Sequence, residues 1–143
     1  HVPLEDAANN FQDWHDRAAQ SLSRLCPGHF AGADLSVETL SYPLEWIADI
    51  IAALDLSICL DIGHMSVHGM DWEAFYQKFA DRIPIIHLYG FETTHSHLGL
   101  DRLPFDIRRS VAATLENFTG TVCLEVFSYE HLEASLKILP SLI

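Results

Sequence analysis

The sequence predicts an α/β fold built on a parallel sheet. Three observations carry that reading. Short apolar runs suited to strands alternate with longer stretches whose apolar residues recur at helical spacing. The order α-β-α-β-α-β-α-β-α calls for right-handed crossovers between parallel strands. The strand runs read as continuously apolar, as expected of a sheet covered on both faces.

Taken in order, Leu4, Ala7, Ala8, Phe11, Trp14, Ala18, Leu22 and Leu25 trace an amphipathic helix that Pro27-Gly28 stops. Residues 35–40 read as a strand. Pro43 opens a helix whose apolar face is Leu44, Ile47, Ile50, Ile51 and Leu54. Residues 56–62 form the next strand. Asp71 is an N-cap for a helix carrying Trp72, Phe75, Phe79 and Ile83. The third strand spans 83–89, with Pro84 tolerable at its start. A loop rich in Gly, Thr, Ser and His runs from Gly90 to about Leu103. Pro104 leads into a helix with Phe105, Val111, Leu115 and Phe118, residues 121–127 make the fourth strand, and Leu132, Leu136 and Leu139 mark a last helix. No linker or domain boundary interrupts residues 1–143. Two architectures fit: a small open doubly wound sheet, or four units of a (β/α)8 barrel, which as a whole takes about 250 residues.

Composition narrows the function. A net charge of −12 with only eight Lys and Arg, of which Arg108-Arg109 alone stand together, is the wrong electrostatics for tracking a phosphate backbone. Polymeric nucleic acid is therefore not the expected partner; a small molecule is. An acidic solvated surface explains most of the charge, and bound divalent cations would offset part of it. No apolar run approaches the roughly 18 residues of a membrane span, and no signal peptide is visible. Cys26, Cys59 and Cys123 form no Cys-x-x-Cys pair, and the odd count points to a reducing, cytoplasmic setting. Elbow, P-loop and dinucleotide-binding glycine motifs are lacking.

The chemistry gathers at the strand ends. Val37-Glu38, Leu60-Asp61, Ile86-His87 and Leu124-Glu125 each put an acidic residue or a histidine directly after an apolar one. In parallel α/β folds that end of the sheet is where sites form. A lone strand-end carboxylate is usually a cap, and a lone histidine usually a satisfied core residue. That reading has to be invoked at the same end of every strand. Glu38, Asp61, His87 and Glu125, with His64 as a fifth group, are an oxygen-and-imidazole set suited to Mn²⁺, Zn²⁺, Co²⁺ or Mg²⁺. The loop Thr93-Thr94-His95-Ser96-His97-Leu98-Gly99-Leu100-Asp101 adds candidates for contact with metal or substrate, His95 and His97 among them. His15, His29, His68 and His131 are expected to be structural, and Trp14, Trp46 and Trp72 to pack.

This ordered set resembles the C-terminal half of the xylose-isomerase-like TIM barrels, also called the AP endonuclease 2 family, over residues 34–139. The resemblance implies strands five to eight of a (β/α)8 barrel and metal ligands at Glu38, Asp61, His64, His87 and Glu125. His1 would match a ligand that some members carry at the end of strand four. Members include sugar isomerases, epimerases and endonuclease IV. The chain departs from the epimerases after His87, where Leu88-Tyr89-Gly90 follows in place of their aspartate, and from endonuclease IV where Thr93 and His95 align with its Asp-x-His. Val37-Glu-Thr-Leu-Ser-Tyr-Pro43, His87-Leu-Tyr-Gly90, His97-Leu-Gly-Leu-Asp101 and Leu124-Glu-Val-Phe-Ser128 are similar to the cobamide-remodelling hydrolases. That similarity implies cleavage of a small-molecule phosphodiester, with Glu38 and Glu125 catalytic and His95, His97 and Asp101 at the substrate. A sugar or sugar-phosphate isomerase that uses the two glutamates across one metal is the rival enzyme. A fragment that is inactive without its other half, or that pairs with a second copy, is the rival of another class.

Overall fold

The computed structural model describes residues 10–26, 30–92 and 95–143. Expectations that fall on His1, Leu4, Ala7, Ala8, Pro27-Gly28, His29, Thr93 and Thr94 lie outside the described residues. Helix α1 (Phe11–Leu25) starts at Asn10, whose side chain accepts the Asp13 N–H, and precedes strand β1 (Ser36–Glu38). A 3-10 turn, Leu44–Ile47, runs into α2 (Ala48–Ala53), which leads to β2 (Ser57–Asp61). Two helices follow, α3 (Ile62–Val67) and α4 (Trp72–Phe79), then β3 (Ile85–Leu88). A ribbon of β4 (Gly90–Glu92) and β5 (His95–Leu98) comes next. The chain ends with α5 (Phe105–Leu115), β6 (Thr121–Leu124) and α6 (Tyr129–Ile138).

The main sheet has four parallel strands in the order β1-β2-β3-β6, each beside its predecessor. Right-handed crossovers that all advance in one direction put their helices on one face. The register separates the faces. Val37 lies opposite Ile58, Leu60 opposite Ile86, Ile86 opposite Val122, and Leu88 opposite Leu124. This is the helix-covered face: Ile58, Leu60, Ile86 and Leu88 are fully buried and share one core with Ile47, Ile51, Trp72, Phe75, Val111 and Leu115. Each such side chain contributes about 1.5–3 kcal/mol relative to exposure.

The other face carries Ser36, Glu38, Ser57, Cys59, Asp61, Ile85, His87, Thr121 and Cys123. The expectation of strands apolar on both faces is therefore corrected: small and polar residues alternate with the core positions. Cys123 is exposed on this face, and Cys59 is buried there. Three further expectations change. Gly90–Glu92 and His95–Leu98 are not loop but pair as an antiparallel ribbon. Residue 62 is not strand but the start of α3, because Asp61 caps a helix there. The helices end at Phe79 and Leu115, leaving Ile83 and Phe118 beyond them.

Candidate metal centre

The four strand ends converge. One ligand atom from each of Glu38, Asp61, His87 and Glu125 lies within 4.8 Å of the other three. His87 is at the middle. Its Nδ1 lies 3.0 Å from Glu38 Oε1, 3.2 Å from Glu125 Oε2 and 3.8 Å from Asp61 Oδ2. Local structure explains how each arrives there. Glu38 ends β1 and Asp61 ends β2, so both side chains clear the sheet at its carboxyl edge. Glu125 follows β6 directly, and its N–H bonds to the Leu88 carbonyl at 3.0 Å, which extends the ladder just far enough to aim it inward. Thr39 ties β1 to β2: its hydroxyl accepts the Asp61 N–H at 2.8 Å.

Asp61 does two jobs. One oxygen, Oδ1, caps α3 by accepting the His64 N–H at 2.6 Å. That bond explains the spacing Asp61-Ile-Gly-His64: the residue three beyond a capping aspartate offers its N–H to it. The second oxygen, Oδ2, is buried with no hydrogen-bond partner among the described residues. Glu125 Oε2 is in the same state. Orphaned, buried carboxylate oxygens cost free energy unless something else satisfies them. Three carboxylates and an imidazole that converge on one point, two of them with such an oxygen, fit a divalent ion of the oxygen-and-nitrogen-preferring kind.

Without an ion, protons do the neutralising. Hydrogen bonds to Cys59 and Glu38 push the His87 imidazole up to about 11, against the effect of burial. Burial pushes Asp61 up to about 7, with the charges of Glu125 and Glu38 adding to it and the His64 N–H bond opposing. Burial alone would raise Glu38, but its hydrogen bond to His87 and the nearby imidazole charges win and hold it below the usual carboxylate value.

The remaining sequence candidates separate. His64 is not among the four converging groups; its Nδ1 lies 3.3 Å from the Thr39 carbonyl and 3.5 Å from Asp61 Oδ2, so it flanks the centre. His97 also flanks it, with Nδ1 3.1 Å from the Glu125 carbonyl and 3.9 Å from its Oε2. Its neighbour His95 is exposed. Gly90 pairs with Leu98 and Glu92 with His95, so Ser96 and His97 together oppose Phe91. This is a bulge, and His97 takes the left-handed conformation in it, φ 57°. The bulge breaks the alternation and turns the His97 ring between Tyr89 and Phe127, at 4.1 and 4.5 Å. Asp101 is exposed and pairs with Arg102 at 3.4 Å, outside the four converging groups. His15, expected to be structural, pairs with Asp49 at 3.0 Å far along the chain from these groups.

Two residues that the motif reading passed over belong to the site. Cys59, two before Asp61 on the same face, contacts His87. Tyr89, two after His87, is fully buried beside Asp61. The period of two along a strand is the signal that would have found both. No family model, curated protein or solved structure matches the chain, and no described helix is long and apolar enough to cross a membrane.

Proposed function

We propose that the chain is a divalent-metal-dependent enzyme that hydrolyses a phosphodiester in a small molecule, with the nucleotide loop of a cobamide as the leading substrate. In this reading the sheet is the C-terminal half of a (β/α)8 barrel of the xylose-isomerase-like superfamily. The unreversed strand order supports the barrel over a doubly wound sheet, whose order switches direction. The polar face, bearing the converging groups at its carboxyl end, corresponds to a barrel interior.

The observation that carries the hydrolase reading is the pair of imidazoles beside the acidic groups. Three carboxylates exceed the charge of one divalent ion, so an anionic phosphodiester needs further positive charge or hydrogen-bond donors. His64 and His97 stand at the mouth with ring centroids 5.8 Å apart. Each donates its Nδ1–H to a backbone carbonyl, so that in the imidazolium form Nε2–H is left to donate to a substrate oxygen. A bound divalent ion supplies Lewis-acid polarisation of the phosphoryl oxygen and makes a nearby water more acidic. The Glu125 carboxylate accepts the proton of the attacking water, through the oxygen it would not give to the ion, as the new P–O bond forms. His97 gives a proton to the leaving oxygen as the old P–O bond breaks. Glu38, kept ionised by His87, holds the imidazole in place.

The test is incubation of metal-loaded and chelated protein with a cobamide, followed by chromatography for the released lower-ligand nucleoside. Metal-dependent release is the expected result. One observation favours the isomerase or epimerase instead: Glu38 and Glu125 approach the same nitrogen of His87, at 3.0 and 3.2 Å, as a two-base proton exchange across one ion requires. No release, together with solvent deuterium entering a ketose beside its carbonyl, would overturn the hydrolase in favour of that chemistry.

A further inference from the structure

Three buried polar atoms around the centre lack hydrogen bonds among the described residues: Asp61 Oδ2, Glu125 Oε2 and the Tyr89 hydroxyl. The two carboxylate oxygens are accounted for by an ion. The phenol is a donor, and a metal does nothing for it. A buried phenol O–H needs an acceptor, so its position needs a reason.

The surroundings supply one. Tyr89 is 0% exposed, and its ring packs against Gly63 in the first turn of α3. A Cβ on Gly63 would stand 2.3 Å from the ring carbons Cε2 and Cζ and 2.7 Å from the hydroxyl. Only glycine lets the phenol come this close. Packing of His97 at 4.1 Å on the ring closes the other side, and His64 meets it edge-on at 6.0 Å. The hydroxyl is thereby delivered beside the Asp61 carboxylate. Oδ1 of that carboxylate is already committed to the His64 N–H, whereas Oδ2 has both lone pairs open. One lone pair can face an ion and the other a phenol.

We propose that Tyr89 is a positioning residue of the metal centre: its hydroxyl donates to Asp61 Oδ2 and, with the His64 N–H on Oδ1, locks the carboxylate in its ligating orientation. Gly63 is the residue that makes room for it. This role rests on the metal-centre reading but not on which reaction the centre performs. Partners of this kind behind a ligand are worth about 10–100-fold in metal affinity.

The experiment is a double-mutant cycle on Mn²⁺ binding, read by calorimetry and by the electron paramagnetic resonance spectrum of the bound ion. It uses the wild-type chain, Tyr89→Phe, Asp61→Asn and the combination. Tyr89→Phe keeps the ring over Gly63 and removes only the hydroxyl. It should weaken Mn²⁺ by about 10–100-fold and change the spectrum, with the metal-free melting temperature confirming that the variant folds. In the Asp61→Asn background the same change should cost nothing further, because the bond is already gone. Gly63→Ala should reproduce the loss by displacing the ring. Unchanged affinity in Tyr89→Phe overturns the proposal, and so does a loss that simply adds to that of Asp61→Asn. A wild-type chain that binds no Mn²⁺ or Zn²⁺ overturns the metal centre itself, and the role of Tyr89 with it.

Discussion

The two faces of the parallel sheet follow opposite physical rules. On the helix-covered face, Ile58, Leu60, Ile86 and Leu88 are fully buried, and adjacent strands match apolar against apolar. On the other face, Ser36 meets Ser57, His87 meets Cys123, and four ligand-type residues crowd the carboxyl edge. The first face contributes stability and has no evident chemistry. The second gathers charges that repel one another and gives stability up. The candidate site sits where burial is least favourable, as expected of sites that work against the fold.

The contrast is broken most severely on the apolar face. Leu60→Ala leaves a cavity between β2 and the helices, and about 2–5 kcal/mol of stability should be lost. Urea denaturation monitored by circular dichroism would measure it, and the affinity of the folded fraction for Mn²⁺ should be unchanged. A drop in that affinity would mean that the faces are coupled.

Asp61→Asn should do the reverse. It keeps the volume and the N-cap oxygen while removing one of three crowded negative charges. The metal-free protein should melt higher at pH 8, and Mn²⁺ affinity should fall at least about a hundredfold, or roughly 2.7 kcal/mol. Lower stability in chelator would contradict the repulsion assigned to this edge.

A smaller effect separates the faces by pH. In chelator, Asp61 carries a folded pKa of about 7, above its ordinary value, and His87 one of about 11. Each raised group adds stability below its unfolded pKa and loses that contribution as pH rises through the folded one. Between pH 5 and 9 both act in one direction, so the chelated protein should melt lower as pH rises. Glu38, shifted down, acts only under more acidic conditions. Saturating Mn²⁺ should flatten or invert the trend, because the ion competes with those protons. Calorimetric melts across the range would check it, and a rise of melting temperature with pH in chelator would contradict it.

Much of this was legible beforehand, for identifiable reasons. Glu38, Asp61, His87 and Glu125 stood out because an apolar run that ends in a charged residue is costly and visible in one dimension. The rest depended on what one dimension hides. His97 reaches the centre only through a bulge and a left-handed backbone, whereas Asp101, on the same stretch, turns to Arg102. The Asp61-x-x-His64 spacing read as a ligand pair, yet its first cause is a helix cap. The polar face was obscured because Ile85, Cys59 and Cys123 look apolar on paper while sharing a face with His87.

The smallest perturbation tests whether that face stands open. Cys59 and Cys123 project from the same side of the sheet, but Cys59 is buried under the converging groups and Cys123 is exposed on the outer strand β6. A disulfide reagent should therefore label Cys123 quickly and Cys59 slowly, with mass spectrometry of the peptides assigning each. Cys123→Ser should leave stability within about 0.5 kcal/mol, as surface substitutions do. If a second copy or another barrel half covered the face, Cys123 would be protected, and the protection would fade on dilution for a self-associating chain. Rapid labelling of Cys123 at all concentrations, beside a slow Cys59, would establish that the acidic edge is held by the four strands of one chain with its polar face open to solvent.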